Sequence, residues 1–129
     1  MKLLLDTSAY VGFKLNHSEL VEFLTQADQV VMSPIVLGEL LFGFRNGTRF
    51  DKNIAELRQF LDHNAVEIIQ LNDITADRYS RIAAQLRQQG TPIPSNDIWI
   101  AAHAMEIGAE LVTMDRHFEK ISGLVYRLF

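Results

Sequence analysis

Residues 29–40 read QVVMSPIVLGEL, a short run of strand-forming residues that passes directly into a helix start. The pair Ser33-Pro34 marks the junction, because serine is a favoured N-cap and proline fits the first helical position. Apolar residues at three- and four-residue spacing then predict a helix that ends near Asn46-Gly47. A strand followed at once by an amphipathic helix is the first half of a βαβ unit.

The same alternation of β-type runs and helical stretches continues along the whole chain. Strands that are separated by helices of ten or more residues imply parallel βαβ units with right-handed crossovers. The sequence therefore predicts an α/β protein, a three-layer α/β/α sandwich with a central parallel sheet, as a single domain over residues 1–129. The predicted strands are Lys2–Asp6, Gln29–Ser33, Val66–Leu71, Glu110–Met114 and Val125–Phe129. The predicted helices run from Ser33-Pro34 to near Asn46-Gly47, from Phe50 to His63, from Asp73 or Thr75 to Gln89 with Gly90 as a left-handed cap, and from Ser95 or Asn96 to Gly108.

The composition excludes several kinds of site. The 129 residues include no cysteine, which excludes disulfides, thiolate zinc sites, iron–sulfur clusters and a cysteine nucleophile. No apolar run reaches the ~7–15 residues of a signal peptide or the ~18 residues of a membrane span, which indicates a soluble cytoplasmic protein. The net charge of −4 argues against a simple nucleic-acid coat protein, which is normally basic. It does not exclude chemistry on nucleic acids, since carboxylates also serve as metal ligands.

Four acidic residues are predicted to meet at one edge of the sheet. Ligands of an open parallel sheet bind outside the carboxyl ends of its strands. Asp6 ends the first strand, and Asp115 follows the fourth. Asp97 lies in the first turn of the helix that leads into the fourth strand, and Glu39 lies within the first two turns of the helix after the second strand. Four carboxylates from distant parts of the sequence are therefore expected at one rim.

Such a group of carboxylates needs compensating positive charge. Two like charges about 4 Å apart repel by about 4 kcal/mol at an effective dielectric constant near 20. Either some of the carboxyl groups are protonated or divalent cations neutralise them. A set of oxygen ligands without cysteine or a histidine pair suits Mg²⁺ or Mn²⁺ rather than zinc. A site of this kind suits phosphodiester hydrolysis, because the metal activates an attacking water and stabilises the leaving oxygen.

Other interpretations of the four acids remain open from the residues alone. Asp6 and Asp115 can cap the helices that follow them, and Asp97 can interact with a helix dipole. Glu39 can be an ordinary surface residue. A phosphatase with Asp6 as nucleophile is a second enzymatic alternative, although the second aspartate usual in that arrangement, two residues on, is here Ser8. A non-catalytic module whose acidic rim binds a basic partner is a third.

Polar residues beside the acids are candidates for supporting roles. Thr7, Asn96 and Thr113 adjoin the acids and are predicted to orient them or a metal-bound water. If the acids form a nuclease site, basic residues are expected to hold RNA phosphates. The candidates for these RNA contacts are Arg45, Arg49 and Arg116.

The four histidines give weaker signals than the acids. His17 and His63 lie beside predicted helices and are expected to be solvated. His103 is assigned a structural or surface role, because it lies about 240° around the helix from Asp97. His117 is two residues from an acid and could approach it, but a plain loop role is the prediction.

The residues around the four acids resemble a known family. The segments are Leu3–Ser8 (LLLDTS), Val36–Leu40 (VLGEL), Asn96–Ala102 (NDIWIAA) and Leu111–Phe118 (LVTMDRHF). In their order and spacing, and over essentially the whole chain, they resemble the PIN-domain ribonucleases, most closely the VapC-type toxins of bacterial toxin–antitoxin pairs. Each motif alone is moderately specific, whereas the four in order are highly specific.

The resemblance implies a PIN-like α/β/α sandwich and an endoribonuclease that depends on Mg²⁺ or Mn²⁺. It also implies a cognate antitoxin that inhibits the enzyme, and a homodimer. Asp6, Glu39, Asp97 and Asp115 occupy the family's four acidic positions, and Thr113 matches its hydroxyl before the last acid. The expected reaction is RNA cleavage by metal-activated water. Asp6, Asp97 and Asp115 would be the principal ligands, while Glu39 would complete the shell or help to deprotonate the water.

Overall fold

A wholly parallel sheet of five strands forms the centre of the protein, in a computed structural model that describes residues 1–129. The strands are β1 (Lys2–Leu5), β2 (Gln29–Met32), β3 (Val66–Ile68), β4 (Glu110–Thr113) and β5 (Tyr126–Leu128). Their order across the sheet is β3-β2-β1-β4-β5, and every neighbouring pair is parallel. The predicted α/β fold with a central parallel sheet is therefore confirmed.

Six α-helices connect the strands. They are α1 (Thr7–Lys14), α2 (Ser18–Leu24), α3 (Pro34–Arg45), α4 (Phe50–Leu61), α5 (Asp73–Gln89) and α6 (Ser95–Ile107), and a 3₁₀ helix spans Arg116–Lys120. From β1 the chain winds toward β3 and then, from β4 onward, toward the opposite edge of the sheet. Because crossovers in parallel sheets are right-handed, this reversal puts α1 to α4 on one face and α5 and α6 on the other. No helix is long and apolar enough to cross a membrane.

The two central strands are the most deeply buried part of the sheet. Leu3, Leu4 and Leu5 of β1 are fully buried, as expected of a strand with helices packed on both of its faces. Leu111 and Val112 of the neighbouring β4 are fully buried as well. The core therefore fixes the carboxyl ends of these strands, and with them the side chains that follow.

Some predicted boundaries are wrong by one to three residues. β3 ends at Ile68 rather than Leu71, because it is an edge strand whose partner β2 ends at Met32 and turns into α3. α4 ends at Leu61 rather than His63, whose backbone N–H bonds to the carbonyl three residues back and closes the last turn. Each of the other strands is one residue shorter than predicted at one or both ends.

Helix α6 has no side-chain cap at its start. The helix begins at Ser95, but Pro94 is the N-cap and no side chain caps the helix. The Asn96 side chain reaches Glu39 on α3. At the end of the preceding helix, Gly90 adopts the predicted left-handed conformation with a φ of 69°.

Candidate active site

Two acids lie where the winding of the sheet reverses. Asp6 follows β1 directly, and Asp115 lies two residues after β4. The two strands are neighbours, with Leu5 beside Val112 in the register. The crevice at such a reversal is where open α/β sheets bind their ligands. The topology therefore puts both carboxylates at the expected binding position.

Asp6 is held in place by three hydrogen bonds to its carboxylate. Its Oδ1 accepts from the Ala9 backbone N–H at 2.8 Å and from the Ser8 hydroxyl at 2.7 Å, and its Oδ2 accepts from the Thr113 hydroxyl. Burial raises the pKa of the Asp6 carboxyl above its usual value, while the bonds from Thr113, Ala9 and Ser8 lower it and the charge of Asp97 raises it further. Asp6 thus caps α1, and it also presents to the site a carboxylate whose ionised form is destabilised by burial.

Thr113 joins the two strand-end acids through one hydroxyl. Its side chain is fully buried. The hydroxyl donates to Asp6 Oδ2 and accepts from the Asp115 backbone N–H at 2.9 Å. The Ser8 hydroxyl in turn accepts from the Met114 backbone N–H at 2.9 Å. These contacts lock the end of β4 to the start of α1.

Glu39 forms hydrogen bonds with the residue after Asp6 and with the residue before Asp97. Its Oε1 accepts from the Thr7 hydroxyl at 2.5 Å, and its Oε2 accepts from the Asn96 amide at 3.3 Å. Thr7 follows Asp6 and Asn96 precedes Asp97 in the sequence. The carboxylate of α3 is therefore held between the first turns of α1 and α6.

Asp97 and Asp115 lie on either side of His117. The ring Nδ1 of His117 is 3.1 Å from Asp97 Oδ2 and 3.2 Å from Asp115 Oδ2. Asp115 Oδ1 also accepts the His117 backbone N–H at 2.9 Å and so caps the 3₁₀ helix. The predicted plain loop role for His117 is wrong, because this turn folds the ring back onto the acids. An aspartate that caps a short helix two residues before a histidine is the sequence signal that points to this contact.

The charge of Asp97 is destabilised by its surroundings. Burial raises the pKa of the Asp97 carboxyl above its usual value, and the nearby charges of Asp115 and Glu39 raise it further. The hydrogen bond and charge of His117 act in the opposite direction. When all of its acids are ionised, the cluster therefore has negative charge that nearby positive groups do not balance.

The donor atoms of this cluster fit a divalent cation. Carboxylate oxygens of Asp97 and Asp115 and a ring nitrogen of His117 all lie within 4.8 Å of one another. Ligand atoms on opposite sides of one cation are about 4–5 Å apart, because the bonds are about 2.0–2.6 Å long. Asp6 and Glu39 border the same cluster and contribute to its repulsion. A bound cation would relieve that repulsion.

The three candidate RNA-binding arginines do not contact the acids. Arg116 is 80% exposed and pairs with Glu119 at 3.2 Å. The Arg45 guanidinium lies over the Phe50 ring, 4.6 Å from its centre, and Arg49 is exposed before α4. Their contact with RNA stays a prediction.

Two histidines away from the site have structural contacts. His103 is fully buried, with Nδ1 3.0 Å from the Ser33 hydroxyl and Nε2 2.9 Å from the Gln70 carbonyl, in line with the predicted structural role. His17 was expected to be solvated, but its ring caps α2 by accepting the Leu20 N–H at 3.3 Å. Neither ring contacts the four acids.

Comparisons with known proteins show the family to which the chain belongs. The family model described as the PIN domain matches residues 3–124. Ribonuclease VapC1 of Haemophilus influenzae is 30% identical over 132 aligned residues, which cover 98% of this chain and 97% of that protein. Among solved structures, VapBC2 from Rickettsia felis bound to a promoter DNA fragment has a TM-score of 0.86 and 30% identity, covering 99% of this chain and 98% of that one. A member of the VapBC family of toxin–antitoxin systems, VapBC-5 from Mycobacterium tuberculosis, has a TM-score of 0.77 and 25% identity over 99% and 97% of the two chains. The chain therefore belongs to the PIN-domain family and, within it, to the VapC ribonucleases.

Proposed function

We propose that this protein is a metal-dependent endoribonuclease that acts as the toxin of a toxin–antitoxin pair. The observation that carries the proposal is the convergence of Asp6, Glu39, Asp97 and Asp115, from four separate segments, at the switch point of the sheet. Their mutual repulsion supports a cation as the missing partner. The VapC relatives support RNA as the substrate class.

Asp6, Asp97 and Asp115 would hold Mg²⁺ or Mn²⁺, with Glu39 bordering them. When bound, the cation supplies positive charge that favours ionisation of the attacking water and stabilises the leaving oxygen. The hydroxyl of Thr113 keeps the Asp6 carboxylate turned toward the site. The N-terminal ends of α1 and α6 add partial positive charge at the same rim, which favours a phosphate there.

Glu39 is the residue that we assign to proton transfer from the water. Its Oε1 is engaged by the short bond from Thr7, whereas Oε2 has only the longer contact with Asn96. Oε2 therefore keeps capacity to accept a proton. The bond to Thr7 holds the carboxylate in orientation while it does so.

Cleavage of labelled single-stranded RNA by the purified protein tests this function. We expect cleavage in Mg²⁺ or Mn²⁺ and none in excess EDTA. Asp6→Asn should lower the rate at least about 100-fold, because metal catalysis supplies several kcal/mol of transition-state stabilisation. Asp62→Asn, at an exposed position after α4, is the matched control and should cleave normally. Full activity of Asp6→Asn in EDTA-stripped, Mg²⁺-supplemented buffer would contradict the proposal, and so would absence of metal-dependent cleavage.

The protein partner in this proposal is a cognate antitoxin. An apolar groove of about 570 Å³ between α1, α2, α4 and β3 is the surface that we assign to an apolar antitoxin segment. Its lining includes Phe13, Val21, Leu24, Phe60 and Val66. Co-expression with the product of the adjacent open reading frame should relieve growth inhibition. Val21→Glu should abolish that relief while RNA cleavage persists, and relief that survives Val21→Glu would move the antitoxin to another surface.

A homodimer is the remaining part of the proposal. Phe42 on α3 and Val11 and Leu15 on α1 are 68%, 42% and 77% exposed, which leaves apolar surface for a second copy. Light scattering on the purified protein should give twice the mass of one chain. A monomer at micromolar concentration would contradict this part alone.

A further inference from the structure

We propose that His117 is an additional ligand of the divalent cation and that it makes the site prefer Mn²⁺ to Mg²⁺. The inference rests on the proposed function, since it concerns the same cation. It adds a nitrogen donor to a site that the sequence pattern describes as purely acidic.

The position of the His117 ring is the first support. Nδ1 faces both Asp97 Oδ2 and Asp115 Oδ2, at 3.1 and 3.2 Å. A histidine that served only Asp97 or only Asp115 would need to face one of them. Adjacent ligand atoms around one cation are about 3 Å apart, because the bonds are a little over 2 Å long, so these separations suit a ring nitrogen that shares a cation with both carboxylates.

The backbone around His117 is the second support. Its N–H is fixed by Asp115 Oδ1, and the next residue, Phe118, is fully buried in the core. The ring is therefore presented by an anchored turn rather than by a free loop. The side chain is 45% exposed and that of Asp97 is 15% exposed, so a cation has access to the donors from solvent.

The chemistry of the donors decides which cation benefits. Imidazole nitrogen suits transition metals, whereas carboxylates and water suit Mg²⁺, Ca²⁺ and Mn²⁺ alike. Mg²⁺ demands nearly ideal octahedral oxygen geometry and keeps several of its waters. A site with carboxylates and one imidazole therefore favours Mn²⁺ over Mg²⁺, and a site with the carboxylates alone does not.

A competing account makes His117 an internal cation. A charged imidazolium between Asp97 and Asp115 would neutralise them and would be displaced by any metal ion. Its removal would then strengthen binding of Mg²⁺ and Mn²⁺ equally. The two accounts predict opposite signs for the effect of one substitution on Mn²⁺ affinity.

Calorimetric titration with Mn²⁺ alone and with Mg²⁺ alone, at one fixed pH, separates the accounts. In His117→Asn, we expect the Mn²⁺ affinity to fall at least about tenfold and the Mg²⁺ affinity to change much less. The control is His63→Asn, at an exposed histidine after α4, which should leave both affinities unchanged. Pulsed electron paramagnetic resonance of bound Mn²⁺ should show coupling to a ¹⁴N nucleus in the wild type and in His63→Asn, but not in His117→Asn.

Absence of nitrogen coupling in the wild type would overturn the inference, as would equal changes of both affinities in His117→Asn. Asp97→Asn shows which claim has failed. If Asp97→Asn loses Mn²⁺ binding and RNA cleavage while the His117 result is negative, only this inference is wrong. If Asp97→Asn retains both, the proposed function itself is wrong.

Discussion

At the scale of single residues, the hydroxyl of Thr113 orients two of the four acids of the site. It donates to Asp6 and accepts from the Asp115 backbone, so it sets the relative positions of two of the four acids. It has no solvent exposure that would let water replace it. Its contribution is orientation, since it carries no charge.

Thr113→Val removes this hydroxyl and nearly keeps the side-chain shape. We expect RNA cleavage to fall about 10–100-fold, as for partners that orient metal ligands. The free energy of unfolding should fall by about 1–3 kcal/mol, because Asp6 Oδ2 and the Asp115 N–H lose a buried partner. Thr113→Ser keeps the hydroxyl and should retain most of the activity. Equal cleavage by Thr113→Val and wild type would show that the hydroxyl is dispensable.

The ionised carboxylate of Asp97 destabilises the metal-free protein. Its pKa in the folded chain is raised, so the folded state holds the proton more tightly than the unfolded state does. The contribution of the Asp97 carboxyl to stability is therefore greatest below its unfolded pKa of about 3.9. It is lost as the pH rises through the folded pKa, where the carboxyl ionises among Asp115 and Glu39.

Asp97→Asn should consequently make the metal-free protein more stable at neutral pH. We expect the free energy of unfolding to rise by about 1 kcal/mol, as is common when a substitution at a functional site raises stability and lowers activity. The gain should shrink as the pH falls toward about 4, because the wild-type carboxyl then becomes neutral as well. Urea unfolding in EDTA at several pH values measures this difference. A loss of stability at neutral pH would contradict this prediction, because it would show that the ionised Asp97 carboxylate stabilises the folded state.

At the scale of elements, the site depends on how α3 and α6 are held together. His103 of α6 contacts Ser33, which caps α3 by accepting the Ile35 N–H at 3.2 Å, and the Gln70 carbonyl before α5. One buried ring thus connects three segments of the chain. The same two helices carry Glu39 and Asp97 to the site.

His103→Ala should destabilise the protein by about 2–5 kcal/mol, because it leaves a cavity in the core and removes the hydrogen bonds to the Ser33 hydroxyl and the Gln70 carbonyl. His63→Ala, at an exposed histidine whose Nδ1 accepts the Ala65 N–H at 3.0 Å, should cost only about 0.5–1.5 kcal/mol. Chemical denaturation of both variants makes the comparison. A cost for His103→Ala that matched the control would show that the α3–α6 contact is held by other residues.

The sequence best predicts the elements whose residue pattern is local and does not depend on pairing with another segment of the chain. Apolar strands and capped helices follow from local residues, and the four acids follow from the strand ends. The end of β3 depends on where β2 stops pairing, which no local pattern contains. The local pattern around His117 does not predict its contact with Asp97 for a similar reason, because that contact spans twenty residues and depends on the course of a short 3₁₀ helix. The capping interpretation was also incomplete, since Asp6 and Asp115 cap helices and face the site together.

At the scale of the whole molecule, the topology and the net charge describe the same feature. Reversal of the winding at β1 creates the crevice, and the acids concentrate charge there. Two divalent cations would change the formal net charge from −4 to 0, and one would change it to −2. The acidic balance is therefore compatible with RNA binding, because the excess negative charge lies where cations are expected.

The central claim is that RNA cleavage requires a cation held by these carboxylates. The most direct test is the initial rate of cleavage of one end-labelled RNA by wild type and by Asp97→Asn, titrated with Mn²⁺ from an EDTA-treated state. We predict a wild-type rate that rises from zero to saturation, and a rate for Asp97→Asn that stays at least about 100-fold lower at every concentration. Wild-type cleavage that persists in EDTA, or equal rates for the two proteins, would contradict the account.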